Sequence, residues 1–327
     1  MSFYKKVQIA VNAFIENEKL IRKYMEDKNY DVALGICADI FGKLFSLDFE
    51  IGYNGKKYEL IFSTLNSKER LYELLYLKSY FPNNIYDNWN IVIGVKPIRE
   101  IEVKMHDIIV DPKEVDIYIK NNNISIYSKK LIPLLKKDKN KALEIVAILL
   151  KNTIGDIPFM KYINGVDVLT HPKIFNKMPL IKLPNYLEQK YQDIYNPYDI
   201  VNNMAVYQNE KAKHTDRPNK KDVIFGNTSF IQILEKKQIS FDDGIEFGYI
   251  AFKINSNKEV NQVLKAKQDL ETVIKENTTD DTVKYVGDSV GINYCYYDAI
   301  VWDKEEFLNQ IENINQKVEN KIEYITY

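Results

Sequence analysis

The chain predicts an α+β fold with mostly antiparallel sheets, packed amphipathic helices and two subdomains. Three observations carry that expectation. Apolar residues recur at helical spacing in some segments and alternate strictly in others, without the regular strand–helix alternation of a doubly wound sheet. Turn signals such as Asn54-Gly55 and Asn121-Asn122-Asn123 sit between alternating runs, where hairpins form. At 327 residues the chain can bury a substantial core, and its length sets a prior of about two domains.

Residues 4–45 read as two amphipathic helices, one with Val7, Val11, Phe14, Ile21 and Met25, the next with Ala33, Ile36, Cys37, Ile40, Phe41 and Leu44. Leu47, Phe49 and Ile51 then alternate with Asp48 and Glu50, and Asn54-Gly55 turns the chain into Tyr58, Leu60 and Phe62. A type I′ turn is expected there, with both central residues at positive φ. Asn66 and Glu69 form a capping-box-like start for a helix carrying Leu71, Leu74, Leu75 and Phe81, stopped by Pro82. Trp89 to Val95 reads as a third strand.

Val115, Ile117 and Ile119, followed by Ile124 and Ile126 across the Asn121–Asn123 turn, predict another hairpin. A helix at 140–154 ends at Gly155, where a left-handed cap is expected. Residues 171–222, marked by Pro172, Pro179, Pro184, Pro197 and Pro218, read as an irregular linker or surface excursion between a 1–170 domain and a smaller 223–327 domain. In the latter, strands are expected at 223–234, 246–254, 282–286 and 292–302. Capping pairs Ser256/Glu259 and Asp303/Glu306 start its two helices.

Composition narrows the function classes. Three histidines, two cysteines and twelve glycines are scattered along the chain, and most enzymatic chemistry recruits one of these types in a cluster. Lys and Arg total 45 against 46 Asp and Glu, a balance that removes the long-range pull toward polyanions and argues against a dedicated nucleic-acid binder. The 24 tyrosines, with frequent Asn, Lys and Ile, read as the imprint of an AT-rich genome rather than as a stacking platform. The N-terminal segment is broken by Gln8, Asn12, Glu16 and Glu18, so no signal peptide is read. The clean apolar run Ile145–Leu150 is far below the ~20 residues of a spanning helix. Cys37 and Cys295 lie in apolar patterns, as reduced buried thiols do. The expectation is a cytoplasmic protein without membrane attachment or cofactor.

Few motifs carry chemistry. No phosphate-cradling glycine pattern occurs; Gly287 and Gly291 bracket Asp288, which would repel a phosphate. His106, His171 and His214 lack the close spacing of a zinc site, and His106-Asp107 reads as a surface turn. No nucleophile elbow appears. In the strand around Cys295, Tyr297, Ala299 and Val301 share its face, which suits core packing. Tyr294, Tyr296, Asp298, Ile300 and Trp302 line the other face. Asp298 is a carboxylate among aromatics, and burial would oblige it to find a cation, a backbone cap or a cleft. With Asp48 and Glu50 it forms the acidic-site candidate. Tyr296 and Trp302 form the candidate binding aromatics, provided that they are exposed. The basic candidates Lys211, Lys213, Arg217, Lys220 and Lys221 lack the aromatic interleaving of a single-strand groove.

Several patches resemble a widespread group of uncharacterised bacterial proteins. They are Leu47-Asp48-Phe49-Glu50-Ile51 with Lys57 to Phe62, Trp89 to Ile93, Asp111 to Val115, and Leu149 to Asp156. Asp222-Val223 with Gly226 and Thr228, and Tyr297-Asp298, extend the likeness. Ile154 and Asp156 stand where similar sequences carry Leu and Glu in a Leu-Gly-Glu turn. The resemblance implies a folded unit over about residues 45–170 and carries no catalytic residue.

Three functional readings follow. The first is a non-catalytic binding or accessory protein, of the immunity type encoded beside a partner, that engages another protein or a small ligand. The second is a hydrolase-like enzyme with an acidic cleft of Asp48, Glu50 and Asp298, which requires those carboxylates to converge. The third is weak nucleic-acid binding through Lys211–Lys221, which requires steep salt dependence.

Overall fold

The computed structural model describes residues 1–64, 67–98, 100–204, 223–226, 244–254, 260–291 and 294–326. The fold is α+β, with open sheets that are mostly antiparallel. The chain forms two compact units, one of Met1–Leu47 with Asn202–Tyr327 and one of Asp48–Val201.

In the first unit, α1 (Phe3–Glu26) buries Phe3, Val7, Ala10, Val11, Phe14, Ile21 and Met25, and α2 (Tyr30–Cys37) buries Ala33 and Cys37. The Phe3 ring meets Phe45 and Trp302, and the Tyr4 N–H donates to the Trp302 carbonyl at 3.1 Å. The amino-terminal helices therefore pack with the carboxy-terminal part. The sequence boundaries, which joined residues 1–47 to the segment up to 170, differ from this division because local periodicity does not reveal which distant surface a helix covers.

The second unit opens with β1 (Phe49–Tyr53) and β2 (Tyr58–Phe62), paired antiparallel with Tyr53 opposite Tyr58. Their connection is a four-residue loop. Gly55 alone of that loop takes positive φ (90°), and the Asn54 carboxamide accepts the Lys56 and Lys57 N–H groups. The expected type I′ turn is absent here because the Asn54 side chain closes the loop instead. It occurs at Asn121-Asn122, with φ of 50° and 60°, and again at His106-Asp107, with φ of 52° and 61°. After α3 (Arg70–Ser79) the chain enters β3 (Trp89–Ile93), parallel to β2. Ser67 Oγ accepts from the Arg70 N–H at the start of α3; Asn66 of the expected capping pair lies outside the described residues.

A small hairpin, β4 (Val103–Met105) and β5 (Ile108–Val110), precedes β6 (Asp116–Lys120) and β7 (Asn123–Tyr127). Then come α4 (Ile132–Lys137), α5 (Lys139–Ile154), α6 (Asp156–Tyr162), β8 (Gly165–Val168), β9 (Lys177–Pro179), α7 (Leu183–Lys190) and α8 (Tyr198–Met204). The sheet order β8-β7-β6-β9 places Ile117, Ile124 and Ile126 against Ile145, Val146, Leu149 and Leu150 of α5. The stretch expected to be irregular thus holds a strand and two helices up to Met204. Pro184 sits in the first turn of α7, where its missing N–H costs nothing, so this proline starts structure rather than marking its absence.

The chain returns to the first unit with β10 (Val223–Gly226), β11 (Glu246–Lys253), α9 (Val260–Asn277), β12 (Val283–Gly291), β13 (Tyr294–Val301), α10 (Lys304–Lys317) and β14 (Ile322–Thr326). The strands form an antiparallel sheet of order β10-β12-β13-β11-β14. As alternation predicts, Cys295, Tyr297, Ala299 and Val301 share one core with Phe307, Ile311 and Ile314 of α10. Asp303 caps α10 by accepting the Glu306 N–H, and also accepts the Ser2 hydroxyl at 2.8 Å. The edge strand β14 escaped the sequence reading. Ser256 and Glu259, and the continuation of the 223–234 strand, lie outside the described residues.

Candidate interaction surface

The acidic candidates are divided between the two units. Asp48 and Glu50 are exposed on the first hairpin of the second unit. Asp298 is buried in β13 of the first unit, opposite Tyr249 on one side and Gly287 on the other. Among the described residues, no group of three His, Cys, Asp or Glu side chains is arranged to hold a metal ion. No helix there is long and apolar enough to cross a membrane.

Tyr296 and Trp302 are buried, so the exposure on which their candidacy as binding aromatics depended is not met. Tyr296 meets the Tyr249 ring edge-on at 5.6 Å, and the Trp302 N–H donates to the Thr282 carbonyl at 2.8 Å. Burying two large aromatics contributes more here than display would, because β13 is the centre of its sheet. His106 sits in its turn with Nε2 2.9 Å from Glu144 Oε2, and the thiols of Cys37 and Cys295 are buried, the former pushed up to about 12 by burial. Lys211, Lys213, Arg217, Lys220 and Lys221 lie outside the described residues.

The structure displays a different apolar group, on the connection between β8 and β9. These strands are the two edges of the four-stranded sheet, so residues 169–176 must cross β7 and β6. The crossing begins where the Leu169 N–H donates to the Ile126 carbonyl at 2.7 Å. Midway, the chain lies over the side chains of the cross-strand pair Tyr118 and Ser125. The Tyr118 hydroxyl accepts the Lys173 N–H at 3.0 Å and donates to the Lys173 carbonyl at 3.1 Å. The Lys173 ammonium reaches Ser125 Oγ at 3.4 Å and stands 5.6 Å from the Tyr118 ring centroid.

Directly beyond this anchor, Ile174 is 88% and Phe175 79% exposed. Asn176 follows with φ of 58°, a left-handed residue that returns the chain to β9. Single exposed apolar residues are ordinary, but two adjacent large ones on a pinned loop tip are the composition of an interface anchor. His171, Lys173 and Lys177 surround the tip and are exposed, and Lys177 pairs with Asp116 at 2.9 Å. Sequence reasoning passed over Ile174-Phe175 because the surrounding prolines, from Pro172 onward, marked the segment as irregular. The usable signal was two bulky apolar residues side by side within a turn-rich stretch.

Comparison of the chain with protein-family models, curated proteins and solved structures finds no match.

Proposed function

We propose that this is a non-catalytic binding or accessory protein that engages a partner protein through the Ile174-Phe175 tip. The observation that carries the reading is the combination of near-complete exposure of both side chains with a loop held rigidly at Lys173. Rigidity lowers the ordering cost of association. The tip is exposed and flanked by Lys173 and Lys177, so the partner it fits presents an apolar pocket with an acidic rim. Burying an Ile and a Phe contributes about 2 kcal/mol each, enough for the pair to dominate a small interface.

The test compares capture of proteins from a lysate of the source organism by wild type and by the Ile174→Ser/Phe175→Ser variant. A partner retained by wild type and weakened roughly 100-fold or more in the variant supports the reading. Equal retention by both contradicts it, as does tip-dependent binding to anionic lipid vesicles without any protein partner. Nothing among the described residues supports the acidic-cleft hydrolase, since Asp48 and Glu50 are exposed on a hairpin while Asp298 is inside a core.

A further inference from the structure

Among the described strands, β1 is an edge of the three-stranded sheet in the second unit. The Asn54 N–H donates to the Lys57 carbonyl and the Ser63 N–H to the Asp48 carbonyl, so residues 48, 50, 52 and 54 bond inward to β2. The N–H and C=O groups of Ile51 and Tyr53 therefore point outward. Among the described residues these groups meet no hydrogen-bonding partner.

Such edges are ordinarily blunted by lysine, proline or a bulge. An edge of the other sheet in this unit, β9, carries both Lys177 and Pro179. Strand β1 has none of these devices. Its pairing with β2 runs without a register shift, and Glu50 is the one charged residue from Phe49 to Tyr53.

The apolar face of the sheet also runs out at this edge. Two rows of side chains cross the strands, Trp89–Tyr58–Tyr53 and Ile91–Leu60–Ile51. In the first row the ring centroids are 5.4 and 5.1 Å apart, from buried Trp89 to a Tyr53 that is 57% exposed. An additional strand would cover that ring and complete both rows.

The charges of β1 select which strand this is. Like charges directly opposite each other across a strand pair are destabilising. A twofold pairing of two copies centred on Phe49 would set Asp48 against Glu50, and one centred on Glu50 would set the two Glu50 carboxylates together. Centring on Gly52 avoids both clashes. Ile51 then exchanges both backbone bonds with Tyr53 of the other copy, and Glu50 faces the other Asn54 carboxamide. Gly52 faces Gly52, leaving no side chain at the closest approach of the strands. Each Tyr53 lies beside the other copy's Ile51, so each apolar row continues into the second sheet. The strand is its own complement, as a twofold interface requires.

We propose that β1 pairs with β1 of a second copy of this chain, antiparallel about a twofold axis at Gly52, joining the two sheets into one. The ladder is short, so association in the micromolar range is expected. The pairing uses no residue of the Ile174-Phe175 tip, so either reading can fail alone.

The experiment is sedimentation velocity of the full chain from about 1 µM to about 500 µM, where monomer should pass to dimer as concentration rises. Gly52→Lys sets two ammonium groups opposite each other at the axis. The single chain tolerates it, since no atom beyond the chain neighbours lies within 4 Å of a Cβ at Gly52. Dimerisation should weaken by about tenfold or more. Under mild oxidation Gly52→Cys should form a disulfide-linked dimer and Glu50→Cys should not, the native Cys37 and Cys295 being buried. A chain that stays monomeric, a dimer indifferent to Gly52→Lys, or crosslinking from Glu50→Cys equal to that from Gly52→Cys overturns the proposal. A monomer whose Ile51 amide gains exchange protection only when another protein is added overturns it in favour of a strand from that protein.

Discussion

The Tyr118 hydroxyl and the Lys173 backbone hold each other twice, through an accepted bond of 3.0 Å and a donated bond of 3.1 Å. A single phenol thereby replaces a strand ladder as the support of an eight-residue crossing, and the next two residues of the chain are Ile174 and Phe175. The tip is presented because Tyr118 fixes the residue before it.

Tyr118→Phe removes both bonds and keeps the ring under Lys173. Global stability should fall by about 1–2 kcal/mol, the net value of two ordinary hydrogen bonds. Exchange of the Lys173 amide with solvent should accelerate by about tenfold, and partner capture should weaken without any change at the tip itself. Unchanged exchange at Lys173 would show that the hydroxyl does not hold the loop.

Asp156 ties the ends of β2, β3 and α5 with one buried carboxylate, which accepts the Val95 N–H at 3.0 Å and the Thr64 hydroxyl at 3.2 Å. Asp156→Ala leaves the Lys151 ammonium and the Val95 N–H without that acceptor, and a loss of about 3 kcal/mol is expected in denaturant melts. A loss of less than about 1 kcal/mol would mean that the junction is held by its apolar contacts alone.

Glu59 supplies a pH test. Burial by itself would raise its pKa, but hydrogen bonds from Lys96, Asn54 and Asn90 outweigh burial and hold the carboxyl below its usual 4.5. A depressed folded-state pKa contributes stability that is fully present above the unfolded value and is lost as pH falls through the folded one. Glu59→Gln should therefore be less stable than wild type by about 1–2 kcal/mol near neutral pH, with the gap closing below about pH 4. Urea melts at about pH 7 and about pH 3 measure it, and a gap independent of pH would exclude the ionised carboxylate as its source.

Much of the fold was legible because amphipathic pattern reports burial directly. The alternation that put Cys295 and Tyr297 on one face and Tyr296 on the other reappears in two separate cores. The Asp303 cap was readable for the same reason, since a cap acts over three residues of sequence. What local pattern does not encode is partner choice between distant elements. Phe3 against Trp302, and β14 beside β11, are non-local pairings with no mark in either segment alone. The candidate site was hidden differently. Tyr296 looked like a binding aromatic by composition, but exposure is a property of the folded sheet. Ile174 and Phe175 looked like loop because the residues around them are turn formers.

The cysteines make a further check on the cores. Burial raises the Cys37 thiol to about 12, and Cys295 is buried at the centre of its sheet, so neither sulfur is open to a reagent in solution. Native protein should leave a thiol reagent unreacted over the time in which denatured protein titrates both groups. Rapid native modification of either would contradict the packing described for that core.

Site-specific photo-crosslinking from position 175 tests the central claim most directly, with the photoreactive residue placed instead at exposed Tyr53 as the control. One protein adduct formed from 175 and absent from 53 is the predicted result. No adduct from 175, or the same adducts from both positions, would contradict the assignment of the Ile174-Phe175 tip as the interaction surface.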